Sequence, residues 1–342
     1  MTATAPPVFP GPIVVMGAGC VGAWMGGMLA RAGAEVHLVG RPAVLGAIRA
    51  QGLTVSDLEG RRFTANAQAL HLHEQVPTGL APALVLLTVK SLDTAPAARA
   101  LGAALPHGTV VLSFQNGVHN AERAQREAPG LCVLPGMVPY NIAAVGPAHW
   151  HRGTDGALQV QSHPGLTPWG RAFTRAGLPL KAVDDLRPVQ WGKLLLNLNN
   201  PVNALSGMPL RAQLMDRDFR GCTADLMEEA LNVLRAAGVP AARVSVLPPR
   251  WLVPVLRLPT PWFERLARRL LRIDAQARSS MADDLARGRP TEIDDLCGAV
   301  VALAAAHGVE APKNRRMVAL VRASGTTGRR WSGPDLREAL GP

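Results

Sequence analysis

Lysine is nearly missing from this basic chain: of thirty-six Lys and Arg residues, only Lys90, Lys181, Lys193 and Lys313 are lysine. Arginine keeps its proton at any workable pH, so it binds anions but does not readily act as an acid, whereas a partly buried lysine can. Cysteine is also sparse. Cys20, Cys132, Cys222 and Cys297 are far apart with no CxxC pair, which argues against a cysteine zinc centre or a disulfide framework and for a reduced, cytoplasmic setting. No metal site is expected. Seven Trp, six Phe and one Tyr do not interleave with the basic residues as a platform for stacking single-stranded bases would. The net charge of +11 attracts anions of any kind, so it does not select nucleic acid, and no nucleic-acid partner is expected. No uninterrupted apolar run reaches the roughly 20 residues that span a bilayer, so no membrane partner is expected. The first thirty residues carry no charge, but they lack the basic start of an export signal. Gly17, Gly19, Gly22, Gly26 and Gly27 also break the apolar stretch,.

A chain of 342 residues has room for two domains with sizeable cores. After a Pro-rich flexible tail over 1–10, residues 13–16 form a short apolar run that leads into Gly17-Ala18-Gly19-Cys20-Val21-Gly22. A helix to about Arg31, a stop at Gly33 and a strand over 35–39 complete a β-turn-α-β unit. Further strands at 84–89, 110–114 and 131–134, spaced by helix-length segments, predict a Rossmann-type doubly wound parallel sheet over 11–182. From 183 to 322 the chain reads as all-helical, with helices at about 189–206, 216–237, 260–287 and 292–307, and 323–342 as a C-terminal tail. The class is therefore α/β followed by a helical domain. Pro248, Pro249, Pro254 and Pro259 make 241–260 a loop or a broken helix. The apolar residues between Leu247 and Phe263, including Trp251 and Trp262, exceed what a short broken segment hides. They predict a homodimer formed through the helical half. Leu266, Leu270 and Ile273 would share one face of the 260–275 helix, with Arg265, Arg268, Arg269 and Arg272 on the other.

The glycine loop follows a strand and opens a helix. Gly17 permits the turn, Gly19 lets a pyrophosphate approach the backbone, and Gly22 lets helix and strand pack closely, with Ala18, Cys20 and Val21 completing the loop. Where an NAD enzyme would place an acid for the ribose hydroxyls, this chain has Gly40-Arg41, a residue suited to the extra phosphate of NADP. Lys90, at the end of the 84–89 strand, offers a second phosphate contact. Asn116-Gly117 reads equally as a turn or as a site beside the nicotinamide. On a helix, Lys193, Asn197 and Asn200 fall at i, i+4 and i+7, stacking an ammonium and two carboxamides on one face. Such a stripe holds a small oxygenated substrate or merely bonds neighbouring backbone.

Together with Ser279-Ser280-Met281-Ala282-Asp283-Asp284 and Gly288-Arg289-Pro290-Thr291-Glu292-Ile293-Asp294, these features resemble the ketopantoate reductase (2-dehydropantoate 2-reductase) family from about residue 11 to 320. The resemblance implies NADPH-dependent reduction of 2-dehydropantoate to (R)-pantoate in pantothenate and coenzyme A biosynthesis. It makes Lys193 the general acid, Glu292 its support, and Asn197 and Ser280 substrate ligands. Asn116 would face nicotinamide and substrate, and Lys90 the cofactor. Reducing a 2-keto acid needs a proton donor at the carbonyl oxygen and polar anchors, which these residues can supply. Thr291 and Asp294 would at the same time cap the helix that follows. Two departures stand out: Asn200-Pro201 arrives one residue early, so Asn199 and Asn200 compete for the second asparagine's place, and the 241–275 segment is long. The alternatives are a reductase of another branched 2-keto acid and a non-enzymatic NADPH-binding regulator.

Overall fold

The computed structural model describes residues 9–245, 247–266 and 277–341 and divides into two compact units, Met1–Leu186 and Arg187–Pro342. The first unit runs β1 (Ile13–Met16), α1 (Cys20–Arg31), β2 (Val36–Val39), α2 (Pro42–Gln51), β3 (Leu53–Asp57), β4 (Arg62–Ala65), β5 (His71–His73), β6 (Leu84–Leu87), α3 (Thr94–Ala104), β7 (Val110–Ser113), α4 (Asn120–Glu127), β8 (Cys132–Met137), β9 (Ile142–Gly146), β10 (His149–Arg152), β11 (Leu158–Gln161), α5 (Trp169–Arg175) and β12 (Leu180–Val183).

Eight of these strands form one sheet in the order β12-β11-β8-β7-β6-β1-β2-β5. All its pairs are parallel except β8 with β11. The central strands are buried on both faces. Ile13, Val15, Leu84 and Leu86 join the core that contains Trp24 and Phe173, while Val14, Val85 and Leu87 join the core under α3 and α4. Double burial is why these strands read as unbroken apolar runs. A second, four-stranded sheet, β4-β3-β10-β9, was not among the expected elements. Helix α1 packs against it as well: a β-carbon on Gly27 would strike the Leu53 side chain and come within 2.7 Å of Val55. Residues 1–8 of the expected tail lie outside the described residues. Phe9 belongs to the fold instead, packing against Trp169.

The second unit is helical, in accord with the expected class: α6 (Arg187–Asn197), α7 (Asn199–Ser206), α8 (Leu210–Met215), α9 (Arg217–Ala236), α10 (Pro249–Leu256), α11 (Thr260–Leu266), α12 (Ser280–Ala286), α13 (Ile293–Ala306), α14 (Pro312–Thr327) and α15 (Gly333–Leu340). Helix α9 is its centre, with Phe219, Leu226, Met227, Ala230 and Val233 buried among the helices around it. Asp216 starts it by accepting hydrogen bonds from the Asp218 and Phe219 amides,.

Three expectations for this half need correction. The single helix over 189–206 is two, broken at Leu198. Pro201 has no amide to offer the Asn197 carbonyl, and its ring crowds that carbonyl. The tail from 323 is helix: α14 runs through Thr327, and α15 buries Leu336 and Leu340. The helix expected over 260–287 is described only as α11 and α12. Arg268, Arg269, Leu270, Arg272 and Ile273 lie outside the described residues, so the expected basic face does too. The 247–263 segment is also less bare than its composition implied. Leu252, Val253 and Phe263 are buried within their own unit, while Trp251 and Trp262 remain 55% and 62% exposed.

What seats that segment is Arg220, fully buried on α9. Its guanidinium donates to the Leu256, Leu214 and Leu258 carbonyls at 3.0, 2.9 and 2.9 Å and to Thr260 Oγ1 at 3.2 Å. It also lies 4.3 Å from the Phe263 ring centroid. Burial pushes its pKa down, partly offset by Asp216.

Candidate active site

In the first unit the turn after β1 carries the geometry of a dinucleotide cradle. Gly17 has φ +114°, and a β-carbon there would lie 2.7 Å from the Val89 amide nitrogen. The Gly17 and Ala18 amides donate to the Val39 carbonyl at 3.0 and 2.9 Å. Thr88 Oγ1 donates to the Gly17 and Met16 carbonyls at 2.9 and 3.2 Å. A β-carbon on Gly22 would run into Gly17 O and Thr88 Oγ1. Gly19 differs: a β-carbon there meets nothing within 4 Å. It is the N-cap of α1, which has no side-chain cap and no acid in its first turn. The helix therefore turns uncapped amides and a positive dipole end toward open space, the arrangement a pyrophosphate fits. Ala18 is buried, Val21 half-buried and Cys20 exposed.

Gly40 explains how Arg41 reaches this loop. A β-carbon at Gly40 would come within 2.5 Å of Ala18 Cβ, so only glycine lets the end of β2 pass the cradle so closely. Arg41 follows as the exposed N-cap of α2, whose first turn has no acidic residue. Lys90 is exposed where the chain leaves β6 and opens a short 3₁₀ turn.

Asn116 is half-buried, and its carbonyl accepts from Asn120 Nδ2 at 2.5 Å and Ser91 Oγ at 3.4 Å. Gly117 beside it has φ +85°, so the pair does make a turn. That turn is clamped by residues the sequence reading missed. Gln115 Nε2 donates to the Val89 carbonyl at 3.0 Å and Thr94 Oγ1 at 2.7 Å, and Asn120 Nδ2 donates to Ser91 Oγ at 2.8 Å. The available signal was a run of polar residues directly after two successive buried strands.

In the second unit, Lys193 sits half-buried on α6 between the buried Gly192 and Leu194. Burial holds its ammonium below the usual lysine range. Glu292 is the half-buried N-cap of α13. The expected capping by Thr291 and Asp294 is absent: α13 has no side-chain cap, and Asp294 pairs with Arg322 at 2.8 Å. Asn197 lies one turn beyond Lys193 on α6, and Asn200 lies on α7 past the break.

Asn199 is already engaged. Its carboxamide exchanges bonds with Gln213 at 3.2 Å and accepts from Thr223 Oγ1 at 2.8 Å. Among the described residues the Asn200 carboxamide has no such partner, and its backbone carbonyl accepts from Ser279 Oγ at 3.2 Å. Ser279 is the N-cap of α12 and bonds the Ala282 amide, which brings the exposed Ser280 next to Asn200 although 80 positions separate them in the sequence. Arg278, two residues before Ser280, was not foreseen. Its Nε is buried with no hydrogen-bond partner among the described residues, a donor suited to a carboxylate.

A cradle for a dinucleotide on one unit and, on the other, a desolvated lysine with carboxamide and hydroxyl donors define a dinucleotide-binding oxidoreductase. The comparisons name its kind. Residues 13–165 match the family described as "Ketopantoate reductase PanE/ApbA", and residues 185–325 match its C-terminal counterpart. The chain belongs to the ketopantoate reductase family. A 2-dehydropantoate 2-reductase of Halobacterium salinarum is 30% identical over 91% of this chain and 97% of its own length. The crystal structure of a PanE/ApbA family ketopantoate reductase from Ralstonia eutropha superposes with a TM-score of 0.78 at 33% identity, over 92% of this chain and 99% of that one. D-mandelate dehydrogenase bound to NADH and anilino(oxo)acetate shares the fold, with a TM-score of 0.76 at 19% identity over 92% of this chain and 99% of that one.

Proposed function

We propose that the chain reduces 2-dehydropantoate to (R)-pantoate with NADPH, the reductive step toward pantothenate and coenzyme A. The observation that carries this reading is Lys193: an amine desolvated on α6, on a chain whose family acts on a keto acid. When bound, the reduced nicotinamide supplies the hydride. The remaining work falls to the protein's own groups. Gly17, Gly19 and Gly22 admit the pyrophosphate, with Ala18, Cys20 and Val21 shaping the loop around it. Arg41 pairs with the 2′-phosphate and Lys90 adds a second phosphate contact, while Asn116 fixes the nicotinamide side. Lys193 gives a proton to the carbonyl oxygen as it gains charge. Asn197, Asn200 and Ser280 hold the substrate's oxygens. Glu292 is the group that pairs with Lys193 once substrate is held. Asn200, rather than Asn199, takes the second asparagine's role, because the Asn199 carboxamide is engaged by Gln213 and Thr223.

Cofactor choice follows from Arg41. Arg41→Asp is expected to weaken NADPH binding by about 1–3 kcal/mol while leaving NADH nearly unchanged, because a charge-assisted bond to phosphate is replaced by repulsion. Fluorescence titration with both cofactors reads this. Equal losses for the two would mean that Arg41 only packs against the loop.

The reading includes a cytoplasmic homodimer formed through the helical unit, where Trp251 and Trp262 stay exposed on α10 and α11,. Light scattering at micromolar concentration should return twice the chain mass. A monomer mass removes the dimer and leaves the reaction untouched.

A further inference from the structure

Three of the nine histidines meet at the β2–β5 edge of the first unit, and none has a role in the site above. His37 and His71 are cross-strand partners in the parallel β2–β5 pair, and His73 lies two residues further along β5. Residues two apart on a strand share a face, so all three imidazoles stand on the same side of the sheet. The rings stack. His37 lies 4.4 Å from His71 and 5.2 Å from His73 between centroids. His37 Nδ1 is 3.0 Å from His73 Nε2, and His37 Nε2 is 3.0 Å from Glu35 Oε1. One ligand atom from each of Glu35, His37 and His71 lies within 4.8 Å of the others. His37 is buried, whereas Glu35 and His71 are exposed at the open side of the edge strand.

We propose that Glu35, His37 and His71 form a binding site for a divalent transition-metal ion of the zinc type. Zinc bonds of about 2.0–2.1 Å in a tetrahedron set neighbouring donors roughly 3.3 Å apart. The His37–Glu35 pair is close to that spacing already. His71 and Glu35 are exposed and can rotate inward to close the rest, leaving the fourth position to water. His73 completes the arrangement from behind. A metal-ligating histidine usually has its second nitrogen held by a hydrogen bond that fixes the tautomer; with an ion bound, His37 Nδ1 would donate to His73 Nε2, 3.0 Å away, and leave the Nε2 lone pair for the metal. Two imidazoles and one carboxylate favour zinc, cobalt, nickel or copper over magnesium or calcium.

The ion would tie edge strand β5 to β2. The His73 carbonyl accepts the Gly40 amide at 3.0 Å, so the same clasp steadies the end of β2 that presents Arg41.

The experiment uses the full chain, stripped with a chelator, titrated with Co²⁺ by visible absorption and with Zn²⁺ by calorimetry. One ion per chain is expected. Glu35→Gln and His71→Asn, both exposed and replaceable without disturbing the core, should each weaken binding roughly tenfold or more. His149→Ala is the control. His149 and His151 share the Ser56 hydroxyl at 2.8 and 2.9 Å on the other sheet, and losing His149 should leave the affinity unchanged. The proposal is overturned if the stripped chain takes up no stoichiometric ion. It is equally overturned if the Glu35 and His71 variants bind like the parent, or if the His149 variant loses the ion.

Discussion

Lys193→Ala is expected to lower kcat by roughly 10²–10⁴-fold while NADPH affinity stays nearly constant. The asymmetry follows from where the side chain acts. Lys193 belongs to the helical unit, whereas the groups proposed to bind the phosphates belong to the first. Removing it takes away the proposed proton donor and leaves the glycine loop of the first unit untouched. Lys193→Arg should be nearly as poor, because guanidinium does not release its proton at workable pH. Burial also sets a pH signature. The folded pKa of Lys193 lies below its unfolded value, so the protonated, proton-donating form is lost earlier than for an ordinary lysine. The alkaline limb of kcat/KM should therefore fall at lower pH than a surface lysine would give. Stability runs the other way. Between the lowered folded pKa and the ordinary one the unfolded chain binds more protons, so this group makes stability rise with pH across that window. Measured kcat with an unchanged cofactor Kd checks the mutation. An active arginine variant would contradict the acid role.

Arg220→Met is expected to destabilise the protein by about 3–5 kcal/mol, since it strips the donors from three carbonyls held in a buried setting. Those carbonyls belong to Leu214, Leu256 and Leu258. Two of them bound the joint between α10 and α11, so the loss should loosen the 249–266 stretch first. Arg220→Lys should recover less than half of the loss: an ammonium cannot spread its donors over carbonyls that the planar guanidinium reaches together. Urea unfolding measures both variants. A methionine variant within about 1 kcal/mol of the parent would mean that the segment is held by apolar packing alone.

The Rossmann half was readable because its central strands are apolar on both faces and its glycines mark a turn that few other sequences make. The second sheet was not. Its strands alternate, with Leu53 and Val55 inward and Thr54 and Ser56 on the other face, and β3 finds β10 nearly a hundred residues away, a pairing that no local pattern announces. Helix α15 had a readable start in Ser332-Gly333-Pro334-Asp335, where Ser332 Oγ accepts from the Asp335 amide, but its eight residues were too short for periodicity to stand out. Scarcity is what singles out Lys193 as a candidate acid in the sequence. The proposed preference for Asn200 over Asn199 rests on Gln213 and Thr223 bonding the Asn199 carboxamide, which no local sequence pattern announces. The three histidines stayed silent for a related reason: register, not spacing, aligns His37 with His71.

The most direct test of the account is steady-state kinetics with NADPH against a panel of 2-keto acids that includes 2-dehydropantoate and bulkier or aromatic analogues. The account predicts the highest kcat/KM for 2-dehydropantoate, with (R)-pantoate as the product. A clear preference for another keto acid, or tight NADPH binding with no turnover of any of them, would contradict it.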